Sequence, residues 1–260
     1  LGADRPANRM EYESALQQGI AEQDIDVRIF CDGQMLEADQ LKRTTIAVHP
    51  VLGQFLKLKD ANGNLLFGKK SLFHPKVIYI EAENGHILLG AGSANLTVSG
   101  WGRNQEVFTF REISNNEQYQ QVKRFFQPLT AFIEDEENEL TLGQRRKFEG
   151  KDQQWNFHHS FETKSFLELL FSHNANQRLQ VWSPYFSKDL AALINKLRNI
   201  SGNKEMTVSV VPDRVEGRRI RTLWSKELNK MVGDASLSFH DYPIKRPDNI
   251  EMTHAKVWLA

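Results

Sequence analysis

The sequence predicts an α/β fold in two pseudo-symmetric halves, each with a central mixed β-sheet flanked by helices. Three observations predict it. Strand-like and helix-like segments alternate through the second half, as in a sheet whose strands are joined by packed helices. A His-x-Lys pair followed by a short apolar strand occurs twice, at His74–Lys76 and at His254–Lys256. The 260 residues suffice for one large domain or two small ones, and 40% hydrophobic with 25% charged residues is a globular balance.

In chain order, Tyr12 to Glu22 reads as a helix with a short apolar stripe, and Asp26 to Cys31 as a buried strand. Thr45 to Val51 and Gln54 to Lys59 are strand-like, with a hairpin turn at Ala61 to Asn64. Lys76 to Glu81 is a strand that turns at Glu83-Asn84-Gly85 and returns along His86 to Leu89. Glu117 to Ile133 carries Tyr119, Val122, Phe126, Leu129 and Ile133 at helical spacing. The polar run from Glu134 to Gln154, with Gly143 and Gly150, reads as a linker. The division is therefore a first half at 1–134, a linker at 135–154 and a second half at 155–260. In the second half, Ser165 to Phe171, Leu190 to Leu197 and Arg219 to Met231 read as helices. Leu179 to Trp182, Met206 to Val211, Leu237 to Tyr242 and Ala255 to Leu259 read as strands.

Charge and leader signals narrow the function classes little. Lys plus Arg and Asp plus Glu both number 33, so a basic groove would have to be local. The single cysteine, Cys31, excludes an internal disulfide and fits a reducing compartment. No run approaches the roughly 18 apolar residues of a membrane span, and Leu1 to Met10 has no signal-peptide core. A cytoplasmic location is the expectation.

The repeat carries the functional argument. Residues i and i+2 of a strand share a face, so each His and its Lys point one way. Two such strands could aim four groups at one point. Downstream of the first pair lie Gly92-Ser93-Ala94-Asn95, then Gly100, then Asn104-Gln105-Glu106. With His74-Pro75-Lys76 these segments resemble the phospholipase D superfamily, whose signature is H-x-K, a spacer, G-S-x-N and often N-x-E. The wording is closest to bacterial nuclease-type and restriction-type members. The resemblance is specific from Phe73 to Phe110 and partial in the second half. Glu81 stands where the family usually has Asp, five positions after the Lys. The second motif reaches Ala260 without a G-S-x-N, so the natural protein is expected to continue past that point, and residues are expected to precede Leu1 as well.

The resemblance implies a phospholipase D/nuclease-like fold and a metal-independent phosphodiesterase with no cofactor. A phosphodiester needs its charge neutralised, a nucleophile, and a proton for the departing oxygen. Two histidines can divide the last two tasks. By resemblance His74 is the nucleophile and His254 the acid. Lys76 and Lys256 hold the phosphate oxygens, Asn95 adds a neutral donor, and Glu106 orients a histidine through Nδ1. Ser93 binds phosphate or orders water, Asn104 shapes the loop, and Trp101 lines the cleft.

Each sharp reading has a plainer one beside it. A lone H-x-K is background; the pairing of two with G-S-x-N and N-x-E is what lifts it. Gly92 and Gly100 are individually ordinary turn residues. His49, His86, His158, His159, His173 and His240 read as surface or packing residues, with no ligand spacing for a metal. Trp182, Trp224 and Trp258 read as core. The basic clusters Arg145-Arg146-Lys147 and Arg218-Arg219-Ile220-Arg221 are solvated faces or contacts to a nucleic-acid backbone. With Arg218, Arg219 and Arg221 in substrate binding, the expected partner is DNA. A phospholipase D or phosphatidyl transferase and a non-catalytic DNA-binding module are the alternatives. Two motifs in one chain allow a monomeric site, and a homodimer fits as well.

Overall fold

The computed structural model describes residues 6–35, 46–60, 62–97, 99–133, 148, 155–172, 178–213, 220, 222–241 and 252–260. The chain packs as two compact units, each drawn from several stretches. Leu1–Pro75, Glu81–Ile87 and Glu112–Thr163 form the first; Lys76–Ile80, Leu88–Arg111 and Lys164–Ala260 form the second.

In the first unit, helix α1 (Pro6–Glu22) begins earlier than its apolar pattern predicts, with Pro6 at its first position. Strands β1 (Arg28–Asp32) and β2 (Ala47–Val51) pair in parallel from Arg28↔Ala47 to Asp32↔Val51. The segment Gln54 to Lys59, expected as strand, is instead a 3-10 turn at Gly53–Phe55 followed by a left-handed residue, Lys57 (φ 51°). Gly53 permits that turn: a Cβ there would come within 3.2 Å of the Ser71 carbonyl oxygen. The hairpin around Ala61 to Asn64 is reduced to one antiparallel bridge, Lys59↔Leu65.

Helix α2 (Asn116–Phe126) starts where the Asn115 side chain accepts a hydrogen bond from the Gln118 backbone at 2.9 Å. Of its expected stripe, Tyr119, Val122 and Leu129 are buried and Phe126 and Ile133 half-buried, while Phe125, outside that stripe, is buried too. Pro128 follows, and the chain tightens into a 3-10 turn over Gln127–Phe132 rather than continuing as α-helix to Ile133. Phe125, Phe157 and Phe161 then form an aromatic cluster with His159. Of the expected linker at 135–154, all but Phe148 lies outside the described residues.

Strands β3 (Val77–Glu81), β4 (Ile87–Gly92) and β6 (Phe108–Glu112) form one sheet in the order β3-β4-β6. Its hairpin turn uses Gly85 at φ 86°, a conformation glycine adopts without steric cost. The short β5 (Asn104–Gln105) pairs in parallel with β10 (Met252–Thr253).

The second unit also holds the alternating pattern. Its elements run α3 (Phe166–Leu170), β7 (Arg178–Ser183), α4 (Leu190–Ser201), β8 (Thr207–Pro212), α5 (Lys226–Gly233), β9 (Leu237–Phe239) and β11 (Val257–Leu259). The sheet order is β11-β7-β8-β9, parallel within β7-β8-β9 and antiparallel at β11, so the sheet is mixed. Leu179, Val181, Val208, Val210 and Leu237 from the strands meet Leu190, Ile194, Leu197, Leu228 and Met231 from the helices. Burial of each such side chain contributes about 1.5–3 kcal/mol.

Local signals set the helix ends. Asp189 caps α4, Gly202 ends it at φ 70°, and Ser165 with Glu168 makes a capping box on α3. The basic helix expected from Arg219 to Met231 starts only at Lys226, because Ser225 caps it there. Thr222 is meanwhile bound to α4's entry, donating to the carbonyls of Ser187 and Lys188 and accepting from Leu190 N. Arg218, Arg219, Arg221, Arg145, Arg146 and Lys147 lie outside the described residues, as does Tyr242 at the end of the expected last-but-one strand.

Candidate active site

The second unit brings Lys76, Ser93, Glu106, His254 and Lys256 together. Three local features assemble them. First, β4 ends in Gly92, where a Cβ would meet the Val107 carbonyl oxygen at 2.3 Å. Glycine there lets the chain cross Val107 closely, so that Ser93 N donates to Val107 O at 2.8 Å. Second, a π-helical turn at Ser99–Arg103 returns the chain to Asn95. A Cβ on Gly100 would stand 2.3 Å from the Asn95 carbonyl oxygen. These two glycines, ordinary as turn residues, are therefore fixed by close backbone approach. Third, β10 lies on β5, with Thr253 Oγ1 donating to Gln105 Oε1 at 2.9 Å and His254 N to Gln105 O at 2.8 Å.

This pairing sets His254 beside Glu106. Glu106 Oε1 lies 2.8 Å from His254 Nδ1, with the two side chains only 8% and 13% exposed. A carboxylate accepts, so Nδ1 donates and Nε2 is left for chemistry. Ser93, itself buried, donates from Oγ to Glu106 Oε2 at 2.5 Å and accepts from Val107 N at 3.0 Å. Its hydroxyl thus braces the carboxylate. Asn104 Nδ2 donates to Glu106 Oε1 at 3.3 Å. The result is a Ser93–Glu106–His254 relay that fixes tautomer and ring orientation.

Lys256 Nζ sits 2.9 Å from His254 Nε2 and 3.1 Å from the His254 carbonyl oxygen. The ammonium only donates, so in this state Nε2 accepts from it. Burial pushes the Lys256 ammonium below the ordinary lysine range, and the like charge of Lys76 pushes it further, against an opposing pull from Glu106. Burial lowers Lys76 as well, again opposed by Glu106.

The histidines and lysines of both pairs stand just before strands rather than within them: β3 starts at Val77 and β11 at Val257. Shared strand faces therefore do not align them. In the second pair the Lys256 side chain folds back over its own histidine. Pro75 lies within the first pair and offers no ladder donor.

His74 belongs to the first unit, where it lines a cavity of about 230 Å³ with Phe67, Phe73 and Phe161. Its approach is held by a residue the sequence did not single out. Buried Asp32, at the end of β1, accepts from Phe73 N at 2.6 Å and from Gln34 N at 2.7 Å. Tyr185 was missed as well. It follows the end of β7, and its ring meets that of His254 edge-on at 6.3 Å. Its position after a strand end was the available signal. Trp101 is half exposed on the π turn, with its ring 5.6 Å from Phe108.

Other described histidines have local partners, and His173 lies outside the described residues. His86 Nδ1 lies 2.7 Å from Glu112, and His158 Nδ1 lies 3.0 Å from Glu162. His49 stacks on Phe30. Among the described residues no group of His, Cys, Asp and Glu is arranged to hold a metal ion. No described helix is long and apolar enough to cross a membrane.

A family model described as cardiolipin synthase, PLD-like domain, matches residues 8–130. The match includes His74, Lys76, the Gly92–Asn95 segment and Glu106, and ends well before His254. No curated protein and no solved structure matches the chain.

Proposed function

We propose, from the match of residues 8–130 to a PLD-like domain, that the chain is a member of the phospholipase D superfamily and a metal-independent nuclease, cleaving DNA through a phosphohistidine intermediate. The observation that carries this reading is the relay from Ser93 through Glu106 to His254, with Lys76 and Lys256 in the same compact unit. It supplies an oriented imidazole and two cations, which together suit a phosphodiester.

The two His-x-Lys pairs act as a pseudo-symmetric set. A nitrogen of His74 attacks phosphorus; the N–P bond forms as the P–O bond to the leaving group breaks. His254 gives its Nε2 proton to the departing oxygen. Water then attacks the phosphohistidine, His254 takes its proton, and the N–P bond breaks. Lys76 and Lys256 hold the non-bridging oxygens and Asn95 donates to one of them. A bound phosphate draws Lys256 away from Nε2, which frees that nitrogen to carry the proton. Glu106 stabilises the resulting imidazolium. Trp101 flanks the substrate, and Arg218, Arg219 and Arg221 contact its backbone.

The test is cleavage of single- and double-stranded DNA in EDTA by the wild type, His74→Ala and His254→Ala. Cleavage by the wild type alone is expected. With a substrate bearing a good leaving group, His254→Ala should still accumulate phosphate on His74, because only the second step then lacks its base. DNA cleavage that survives both substitutions would overturn the proposal. The description of the matching family favours a second reading, phosphatidyl transfer. It predicts turnover of phosphatidylglycerol vesicles, with DNA left intact.

A further inference from the structure

The cavity beside His74 has a construction the two-histidine chemistry does not require. It measures about 230 Å³ and is walled mainly by phenylalanine rings. Phe161 stacks on Phe73 at 6.4 Å and 22°, and on Phe125 at 5.2 Å and 16°. It meets Phe67 edge-on at 5.4 Å. Phe73 is buried, while Phe67 and Phe161 are half-buried and keep part of their surface for an occupant. Exposed Leu72 and the exposed Ser160 stand at its edge.

We propose that this cavity is a nucleobase subsite, holding the base next to the scissile phosphate. The inference rests on the nuclease reading above. Three properties point to a base. The volume is below the roughly 300–1,000 Å³ of sites for drug-sized molecules, and suits a single planar ring system. Phe67, Phe73, Phe125 and Phe161 all line the cavity, and an aromatic lining favours a flat π-face, which every base presents. The lining also holds two polar residues, His74 and Ser160, which can meet a base edge and its attached phosphate. A phospholipid acyl chain asks for a long apolar path instead.

His74 is both wall of the cavity and the proposed attacking group. A base in the cavity is one sugar away from the phosphorus bonded to His74. A base that is paired and stacked in a duplex cannot enter, so the subsite selects single-stranded or frayed DNA.

The experiment compares three substrates: a single-stranded oligonucleotide, the same strand with an abasic site beside the cut, and base-free bis(para-nitrophenyl) phosphate. The variants are Phe161→Leu, which keeps apolar bulk and removes the aromatic face, and Ser160→Trp, which fills the mouth from an exposed position. In parallel, binding of thymidine monophosphate and of deoxyribose 5-phosphate is titrated. For each variant the ratio of kcat/KM on the oligonucleotide to that on the base-free diester should fall about 5- to 150-fold. The wild type should lose a similar factor on the abasic strand, and Phe161→Leu should lose little more. Equal losses on all substrates, or an abasic strand cut as fast as the intact one, would overturn the subsite while leaving the nuclease standing. If DNA is not cut but thymidine monophosphate binds more tightly than the sugar phosphate, and Phe161→Leu abolishes the difference, the subsite stands and the nuclease reading falls. No cleavage and no preference for the base would end both.

Discussion

Replacing Glu106 with Gln tests the relay most directly. The Glu106–His254 contact is 2.8 Å between side chains that are 8% and 13% exposed. A hydrogen bond to a charged group is worth about 1.5–3 kcal/mol. Gln still accepts from His254 Nδ1 but without the charge, which forfeits about half of that, and at about 1.36 kcal/mol per decade this lowers kcat about 3- to 13-fold. The fold should survive. The Gln amide nitrogen can face Ser93 Oγ, which then accepts from it and from Val107 N (now 3.0 Å) and donates to Val107 O (now 3.3 Å). A second consequence fixes the sign of a pH effect. Glu106 holds the ammonium groups of Lys76 and Lys256 up against burial. Without its charge both lysines lose their protons at lower pH, and the alkaline limb of activity moves to lower pH. The assay is nitrophenolate release from bis(para-nitrophenyl) phosphate in EDTA across pH, with thermal melting as the control for folding. A kcat within twofold of wild type, with an unmoved alkaline limb, would refute the reasoning and leave the pair a structural contact.

Two further outcomes are expected. Lys256→Gln should lower kcat by about 10²–10³-fold, the loss typical of one removed transition-state donor. It should not lower stability. A lysine depressed by burial burdens the fold while protonated, and the burden lifts as pH rises from its lowered value to the ordinary one, where the unfolded chain still binds the proton. The variant's melting temperature should therefore rise less steeply with pH across that window, and a clearly lower melting temperature at neutral pH would count against it. Asp32→Ala removes a buried carboxylate that accepts from Phe73 N and Gln34 N. At about 1.5–3 kcal/mol, and about 2–4 °C per kcal/mol for a chain of this size, melting should fall about 3–12 °C. Activity should fall with it at temperatures where the protein remains folded, because the Phe73–His74 segment loses its anchor; unchanged activity would sever that link.

The sequence by itself determined what neighbouring residues can encode. The alternation of β7, α4, β8, α5 and β9 follows from apolar periodicity, and their ends from Asp189, Gly202 and Ser225. The groups proposed to react, His74, Lys76, Glu106, His254 and Lys256, stand out in the sequence through their repeated spacing. Gln54 to Lys59 misled because alternating leucines mimic a strand, while Gly53 and Lys57 set the backbone. Only the tertiary structure decided which groups meet. Glu106 and His254 are 148 residues apart, joined because Met252–Thr253 lies along Asn104–Gln105. That contact turned Ser93 from a free hydroxyl into the brace of a carboxylate, and set Lys76 and Lys256 close enough to lower one of them. Asp32 beneath Phe73 and the phenylalanine walls around His74 arose the same way. The physical reason is common to all of them: periodicity and capping act over one or two turns of chain, whereas the field and the hydrogen bonds at a site are set by whatever the completed packing brings within a few ångströms.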